Sequence, residues 1–179
     1  MLKNGTILVI DDSPADRELI LHCMRLAGVQ APVQLLGDGA EALAYLKGQP
    51  PFDDRDRYPY PCMVITDLKM PVVDGLGLLE FLRNHPELAV IPTIVLSGSS
   101  DADDVEVSYL LGASSYIVKP PTASELCDRI RTMMEYWCHC EAPITTRTGM
   151  HIRTEAHGKI GERYSRSPFP PARAGPASA

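Results

Sequence analysis

Long hydrophobic runs are missing from this sequence of 179 residues. No segment approaches the uninterrupted apolar stretch of about 18 residues from which a membrane-spanning helix is built. The N-terminal segment MLKNGTILVI leads directly into a strand-like run, and it lacks the small-residue cleavage site that ends a secretory signal peptide. We therefore expect a cytoplasmic protein with no membrane partner.

Cysteine is scarce, and the five cysteines are odd in number and scattered. A small secreted domain that depends on disulfides usually has closely spaced cysteines in even number. We therefore expect reduced core thiols and no disulfide framework at Cys23, Cys62, Cys127, Cys138 and Cys140. The last two flank His139, and three adjacent residues at one helix end supply too few ligands for a structural zinc ion.

Basic residues are few in the first 141 positions, where 11 lysines and arginines stand against 21 aspartates and glutamates. An acidic surface argues against nucleic-acid binding, because phosphate contacts need positive charge. Residues 142–179 carry 6 basic and 2 acidic side chains and are rich in Arg, Ser, Pro, Ala and Gly. They show no apolar period and no helix-turn-helix pattern, so we expect a disordered tail over 141–179 and no DNA-binding domain.

Five short apolar runs alternate with five segments of helical period in the rest of the chain. The runs are continuous, which is typical of parallel strands covered on both faces, so the pattern predicts an α/β fold with a doubly wound, five-stranded parallel sheet. One segment, QPPFDDRDRYPYP at 49–61, has four prolines and alternating charges, and we interpret it as a surface insertion. The predicted strands are 6–10, 32–36, 62–66, 92–96 and 115–118.

The predicted helices have recognisable ends. Ser13 is placed to cap the first helix, and Pro14 follows it in the first turn. Asp38 and Thr122 each precede a glutamate by three residues, the spacing of a capping box, at the start of the second and fifth helices. The other two helices are predicted near 75–84 and 102–111.

Acidic side chains end two of the predicted strands. Asp11 and Asp12 follow the first strand, and Asp67 follows the third. If the strand order is 2-1-3-4-5, these two strands are neighbours, and their carboxyl ends meet at the edge where such sheets bind ligands. Three carboxylates so close would repel one another, and a divalent cation removes that conflict. Oxygen-only ligands suit Mg²⁺, which keeps several waters in its shell.

Ser97 ends the fourth predicted strand and Lys119 ends the fifth. Each strand-end residue has an ordinary explanation by itself, because an aspartate often forms a turn or caps a helix and a lysine is commonly a surface charge. Together these strand ends bring an acidic nucleophile, a metal, a hydroxyl and an ammonium to one edge. Those groups can hold a transferring phosphoryl group and neutralise its oxygens.

Four segments resemble the receiver domain of two-component response regulators, namely ILVIDDSPADRELI, VITDLKMPVVDGLGLL, TIVLSGSS and GASSYIVKPP. The resemblance covers residues 5–140. It implies the flavodoxin-like receiver fold with strand order 2-1-3-4-5. It also implies a phosphorelay, in which a sensor histidine kinase supplies a phosphoryl group from a phosphohistidine.

The resemblance assigns roles to the acidic residues. Asp67 is the expected phospho-acceptor. Asp12 and Asp67 are the expected direct ligands of Mg²⁺, and Asp11 acts largely through water. The backbone carbonyl of Lys69 is expected to complete the protein's share of the metal shell.

The resemblance also assigns a switch. Ser97 matches the switch hydroxyl and Tyr116 the switch aromatic, which is expected to rotate from the surface to the interior on phosphorylation. Lys119 matches the cation that holds a phosphoryl oxygen. The bond between Lys119 and Pro120 is expected to be a cis peptide, which proline permits.

The expected function is that of a single-domain response regulator, a signalling protein and not an enzyme. It would signal to a downstream protein through the face formed by the fourth helix, fifth strand and fifth helix. The segment 49–61 and the pair Tyr136 and Trp137 are similar to stand-alone regulators that serve phytochrome-type histidine kinases. Such regulators tend to pair through this face, so a homodimer is a further expectation.

Two alternatives remain at this stage. A Mg²⁺-dependent phosphatase would use an aspartyl-phosphate as a turnover intermediate, but it usually needs a second acid two residues after the nucleophile, where this chain has Lys69. A phosphate-independent scaffold would keep only the fold, but a scaffold has no need of a costly acidic cluster at Asp12 and Asp67.

Overall fold

The computed structural model describes residues 5–141. Five parallel strands form one sheet in the order β2-β1-β3-β4-β5, which confirms the expected topology. The strands are β1 Thr6–Ile10, β2 Val33–Leu36, β3 Pro61–Thr66, β4 Thr93–Ser97 and β5 Ser115–Val118. The helices are α1 Pro14–Leu26, α2 Gly39–Lys47, α3 Gly75–Asn84, α4 Ala102–Leu110 and α5 Ala123–Cys138. The expected tail from 142 onward lies outside the described residues, so the domain boundary stays a prediction.

The predicted helix caps are present as hydrogen bonds. The Ser13 hydroxyl accepts from the backbone N–H of Asp16 at 3.2 Å. The Asp38 carboxylate and the Thr122 hydroxyl accept from backbone N–H groups three residues ahead at 2.8 and 3.3 Å. These bonds satisfy donors that have no partner inside the first turn of a helix. Each cap therefore fixes the residue at which a helix begins after the preceding strand.

The strands are largely apolar because helices cover both faces of the sheet, and burial is most complete in the central strands β1, β3 and β4. Successive strand side chains point to opposite faces. In β1, Ile7 and Val9 pack towards α1 and α5, whereas Leu8 and Ile10 pack towards α2 and α3. All four side chains are at most 1% exposed. This burial explains the continuous apolar runs of the sequence and makes the sheet a rigid support for its polar edge.

The 49–61 segment is largely exposed, as expected of a surface insertion, but two of its residues anchor it to the rest of the fold. Phe52 is 7% exposed and packs against the rings of Tyr45 and Tyr58, with both centroids 5.2 Å away. The Arg55 guanidinium donates at 2.8 Å to the backbone carbonyls of Tyr45 and Leu46, near the end of α2. The last carbonyls of a helix lack intrahelical donors, and here the Tyr45 carbonyl accepts from both the Gly48 N–H at 3.1 Å and the arginine. The insertion thus lies at the surface and is anchored to the fold through Phe52 and Arg55, two contacts that its charges and prolines concealed.

A disulfide joins Cys23 of α1 to Cys127 of α5. The expectation of reduced thiols was therefore wrong for this pair, whereas Cys62, Cys138 and Cys140 are free. The two bonded residues are separated by 104 positions, and their Cα atoms lie 4.6 Å apart where α1 packs on α5. Linear spacing carries no signal for such a pair, because the packing of two distant helices creates it.

Two further expectations concern the backbone and the membrane. The expected cis bond at Lys119–Pro120 was wrong, because the cis peptide found in residues 5–141 is Pro50–Pro51. Proline lowers the preference for trans to about 0.5–1 kcal/mol but does not remove it, and the bond before Pro120 keeps the ordinary isomer. No helix within this part of the chain is long and apolar enough to cross a membrane.

Candidate functional site

The polar edge of the sheet begins where β1 and β3 end. The backbone N–H of Asp67 donates to the carbonyl of Ile10 at 2.9 Å, and that of Asp11 donates to the carbonyl of Leu36 at 3.2 Å. These bonds extend the parallel ladder by one residue, so the first polar side chains after the strands are fixed by the sheet itself. Rigid strand ends of this kind hold functional groups more precisely than loops do.

Three carboxylates meet at this edge, as the sequence predicted. One oxygen from each of Asp11, Asp12 and Asp67 lies within 4.8 Å of the others. Asp11 is 1% exposed and Asp67 9%, whereas Asp12 is open to solvent. Burial raises the pKa of Asp11, although hydrogen bonds from Lys119 and from the backbone of Ser13 oppose the rise. An oxygen-only cluster that is partly dry and open on one side fits a hard divalent cation.

Lys119 places its ammonium among these acids. Its Nζ lies 2.6 Å from Asp11 Oδ2, 2.7 Å from Asp16 Oδ2 and 3.1 Å from Asp67 Oδ2. Burial alone would lower the pKa of Lys119, but the hydrogen bonds to Asp11 and Asp16 and the charge of Asp67 outweigh it and raise the pKa above its usual value. The lysine is therefore a permanent cation aimed at Asp67.

The carboxylate of Asp67 is held on two sides. Its Oδ1 accepts from the backbone N–H of Leu68 at 2.6 Å and from that of Lys69 at 3.4 Å. Its Oδ2 faces the Lys119 ammonium. The group is thus oriented by the backbone on one side and by a cation on the other, which is an arrangement suited to a nucleophile that must meet an electrophile in line.

Ser97 and Tyr116 lie beside this cluster on β4 and β5. Ser97 is 1% exposed, and its backbone carbonyl accepts from the backbone N–H of Lys119 at 2.7 Å. The Tyr116 ring is half-buried, and its hydroxyl donates to the Ser99 carbonyl at 3.0 Å. Burial raises the pKa of the Tyr116 hydroxyl, so the phenol is a donor at neutral pH. The switch roles of Ser97 and Tyr116 stay predictions.

Sequence reasoning missed two acidic residues of the site. Asp16, in the first turn of α1, contacts Lys119. Asp104, in α4, accepts from the Ser99 hydroxyl at 2.6 Å and lies 3.8 Å from the Lys69 ammonium. Both side chains come from helices, and a helical residue reaches the strand edge only if the helix is oriented correctly. The first-turn position of Asp16, directly after the first strand, was the one available signal.

Glycine at position 75 lets α3 begin directly against Asp67. A Cβ at Gly75 would lie 2.2 Å from the Asp67 carbonyl oxygen and 2.8 Å from the Leu68 Cα. Both obstacles are backbone atoms of the site and cannot move aside cheaply. Within the same helix, a Cβ at Gly77 would meet only side chains, the nearest of them Asp74 at 3.3 Å. Gly77 is therefore a suitable control position for a substitution at Gly75.

We expect Gly75→Ala to lower the free energy of unfolding by about 1–3 kcal/mol, the usual cost of overpacking. Gly77→Ala should leave stability unchanged or raise it, because alanine favours a helix interior by roughly 0.5–1 kcal/mol over glycine. Chemical denaturation of both variants measures the difference. Equal effects of the two substitutions would show that α3 does not press on the Asp67 backbone.

Comparison with known proteins agrees with this geometry. The model of the response regulator receiver domain family matches residues 7–131. Response regulator Rcp1 of Synechocystis is 30% identical over 131 residues, covering 73% of this chain and 87% of Rcp1. The phosphorylated cyanobacterial phytochrome response regulator RcpA is 30% identical with a TM-score of 0.73, covering 78% of this chain and 99% of RcpA. The Mn²⁺-bound form of Rcp1 is 28% identical with a TM-score of 0.72, and the match covers 78% of this chain and 99% of that Rcp1 chain.

Proposed function

The chain belongs to the response regulator receiver domain family, and from that premise we propose that it is a single-domain regulator that accepts a phosphoryl group on Asp67. The donor is the phosphohistidine of a sensor histidine kinase. The observation that carries the proposal is the position of Asp67, with Oδ2 3.1 Å from a permanently charged lysine and with two further aspartates beside it.

The chemistry follows from the groups at the edge of the sheet. A carboxylate oxygen of Asp67 attacks phosphorus, an acyl-phosphate bond forms, and the bond from phosphorus to the histidine nitrogen breaks. Lys119 holds and neutralises a phosphoryl oxygen. Asp11, Asp12, Asp67 and the backbone carbonyl of Lys69 would hold Mg²⁺, which supplies positive charge at the transferring group when bound. The Mn²⁺-bound form of the similar protein Rcp1 supports a divalent ion here.

Phosphorylation would act through Ser97 and Tyr116. New phosphoryl oxygens at Asp67 are strong acceptors, and they attract the Ser97 hydroxyl. The Tyr116 hydroxyl then leaves the Ser99 carbonyl, which it now contacts at 3.0 Å, and the ring turns inward. The phosphoryl group need only favour one of two existing arrangements by the free energy that it gains there.

The output surface in this proposal is the face formed by α4, β5 and α5. Three large side chains there are well exposed, Tyr109 at 50%, Leu110 at 65% and Tyr136 at 64%. A groove of about 720 Å³ runs between β5 and α5, with Met133 and Trp137 in its lining. Exposed aromatic and aliphatic groups of this kind suit protein contact. A downstream protein or a second copy of the chain is the proposed partner.

The similarity to RcpA supports a phytochrome-type histidine kinase as the phosphoryl donor, because RcpA is a cyanobacterial phytochrome response regulator. Turnover as a phosphatase is disfavoured, because position 69 offers a lysine where a second acid would be needed. The regulator at most assists its own phosphorylation and dephosphorylation.

Incubation with Mg²⁺ and acetyl phosphate tests the proposal. We expect one phosphoryl adduct per chain by intact-mass measurement, localised to Asp67 by peptide mapping after borohydride reduction. Asp67→Asn should take up none, because the amide is no nucleophile. Rapid phosphate release with no accumulated Asp67 adduct would favour the phosphatase. Complete absence of an adduct, with the fold intact, would favour the scaffold.

A further inference from the structure

The ammonium of Lys119 is fully occupied in the unphosphorylated protein. A lysine has three N–H donors. Three carboxylate oxygens lie within hydrogen-bond distance of Nζ, from Asp11 at 2.6 Å, Asp16 at 2.7 Å and Asp67 at 3.1 Å. The longest of the three contacts is the one to the proposed phospho-acceptor. A phosphoryl group that arrives on Asp67 must therefore displace a partner that Lys119 already has.

The three carboxylates differ in how easily they release the ammonium. The side chains of Asp11 and Asp67 are 2% and 11% exposed, so either would lose its cation where little water can replace it. The side chain of Asp16 is 40% exposed, and water can solvate it at once. Asp16 is therefore the partner that Lys119 leaves at the lowest cost when new acceptor oxygens appear.

We propose that Asp16 is a positioning residue that competes with the phosphoryl group for Lys119 and thereby limits how fully the protein is phosphorylated. This inference rests on the proposed function and concerns the regulation of the same site. Asp16 takes no part in bond making or bond breaking. It draws the ammonium towards α1, away from the oxygens that develop charge during the transfer.

The charge of Asp16 acts in the same direction as its hydrogen bond. Asp11, Asp12 and Asp67 already place three carboxylates at the edge, and Asp16 adds a fourth. A phosphoryl group brings roughly −1.5 to −2 charges at neutral pH. Both the occupied lysine and the added negative charge therefore oppose the phosphorylated form.

Asp16→Asn tests the proposal. At saturating Mg²⁺ and with acetyl phosphate as donor, intact-mass time courses give the rate constants of phosphorylation and of dephosphorylation. We expect the ratio of these constants to rise about fivefold, the size that a half-exposed ion pair supports. The gain should shrink at high ionic strength, because solvent-exposed charges are screened. Glu18→Gln removes an exposed charge from the same helix and should leave the ratio unchanged.

A merely structural role for Asp16 predicts the opposite result. In that case Asp16→Asn would loosen Lys119 and slow phosphorylation, and the conservative Asp16→Glu would restore it. Competition predicts that Asp16→Asn raises the ratio of the two rate constants above the wild-type value. Asp16→Glu keeps the carboxylate, so its ratio should be smaller than that of Asp16→Asn. An unchanged or lowered ratio in Asp16→Asn, with the wild type labelled normally, overturns the inference alone. If the wild type takes no adduct, the proposed function itself fails.

Discussion

Lys119→Met is expected to lower the free energy of unfolding in metal-free buffer by about 3–5 kcal/mol, the cost of removing one partner from a buried ion pair. The Lys119 side chain is 15% exposed, and its ammonium contacts three carboxylates. Without it, the buried Asp11 loses its closest counter-charge and the remaining acids repel one another. Guanidinium denaturation of the wild type and the variant, both in chelator, measures the loss.

Mg²⁺ should stabilise the Lys119→Met variant more than the wild type. A ligand that binds only the folded state stabilises it by an amount that grows with its affinity. Removing the ammonium deletes a competing positive charge, so the carboxylates of Asp11, Asp12 and Asp67 should bind the cation more tightly. Repeating the denaturation series in Mg²⁺ should therefore reduce the difference between the two proteins. A difference that is the same in chelator and in Mg²⁺ would contradict this electrostatic account.

Lys47→Met is the matched control for Lys119→Met. Lys47 ends α2 at an exposed position, where its ammonium lies 5.0 Å from the centre of the Phe81 ring. The same substitution there removes the same charge and a similar side chain from the surface. Its effect on unfolding should stay below about 1 kcal/mol, the upper range for exposed cation–π contacts. An equal loss in both variants would show that the buried cluster adds nothing specific.

The strands, the helix starts and the strand-end residues of the site were predictable because the signals for them are local, whereas the strand order came from the resemblance to receiver domains. Strands covered on both faces must be apolar throughout, and a helix must begin where a capping side chain stands. Once the order of the parallel strands is known, the residue after each strand must lie at the carboxyl edge of the sheet. Asp11, Asp67 and Lys119 therefore met at the expected edge.

The contacts that the sequence concealed are those made by helices and by the insertion. Asp16 reaches Lys119 only because α1 leaves the sheet at one particular angle. Phe52 is buried only because Tyr45 and Tyr58 form a pocket for its ring. Such contacts depend on how distant elements pack, and no spacing rule within one segment encodes them. The disulfide belongs to the same class.

Reduction of the bond between Cys23 and Cys127 is expected to lower the free energy of unfolding by up to about 4.7 kcal/mol, the chain-entropy value for a loop of roughly 100 residues. The bonded residues are 104 positions apart, so the bond restricts most of the described chain in the unfolded state. Guanidinium denaturation with and without a phosphine reductant measures the shift. The Cys23→Ala, Cys127→Ala double variant should unfold at the same midpoint in both conditions, because Cys62, Cys138 and Cys140 are free thiols.

The same bond should have little effect on the folded site. Apolar packing between α1 and α5, through Ile20, Met24, Ile130 and Met134, holds the two helices together without it. Reduction therefore acts mainly on the unfolded chain, and the reduced protein should keep the rate at which acetyl phosphate labels Asp67. In a reducing environment disulfides are rare, and there the pair would exist as thiols without loss of the site. Loss of labelling on reduction, while the protein remains folded, would instead show that the bond fixes α1 and its Asp16 against Lys119.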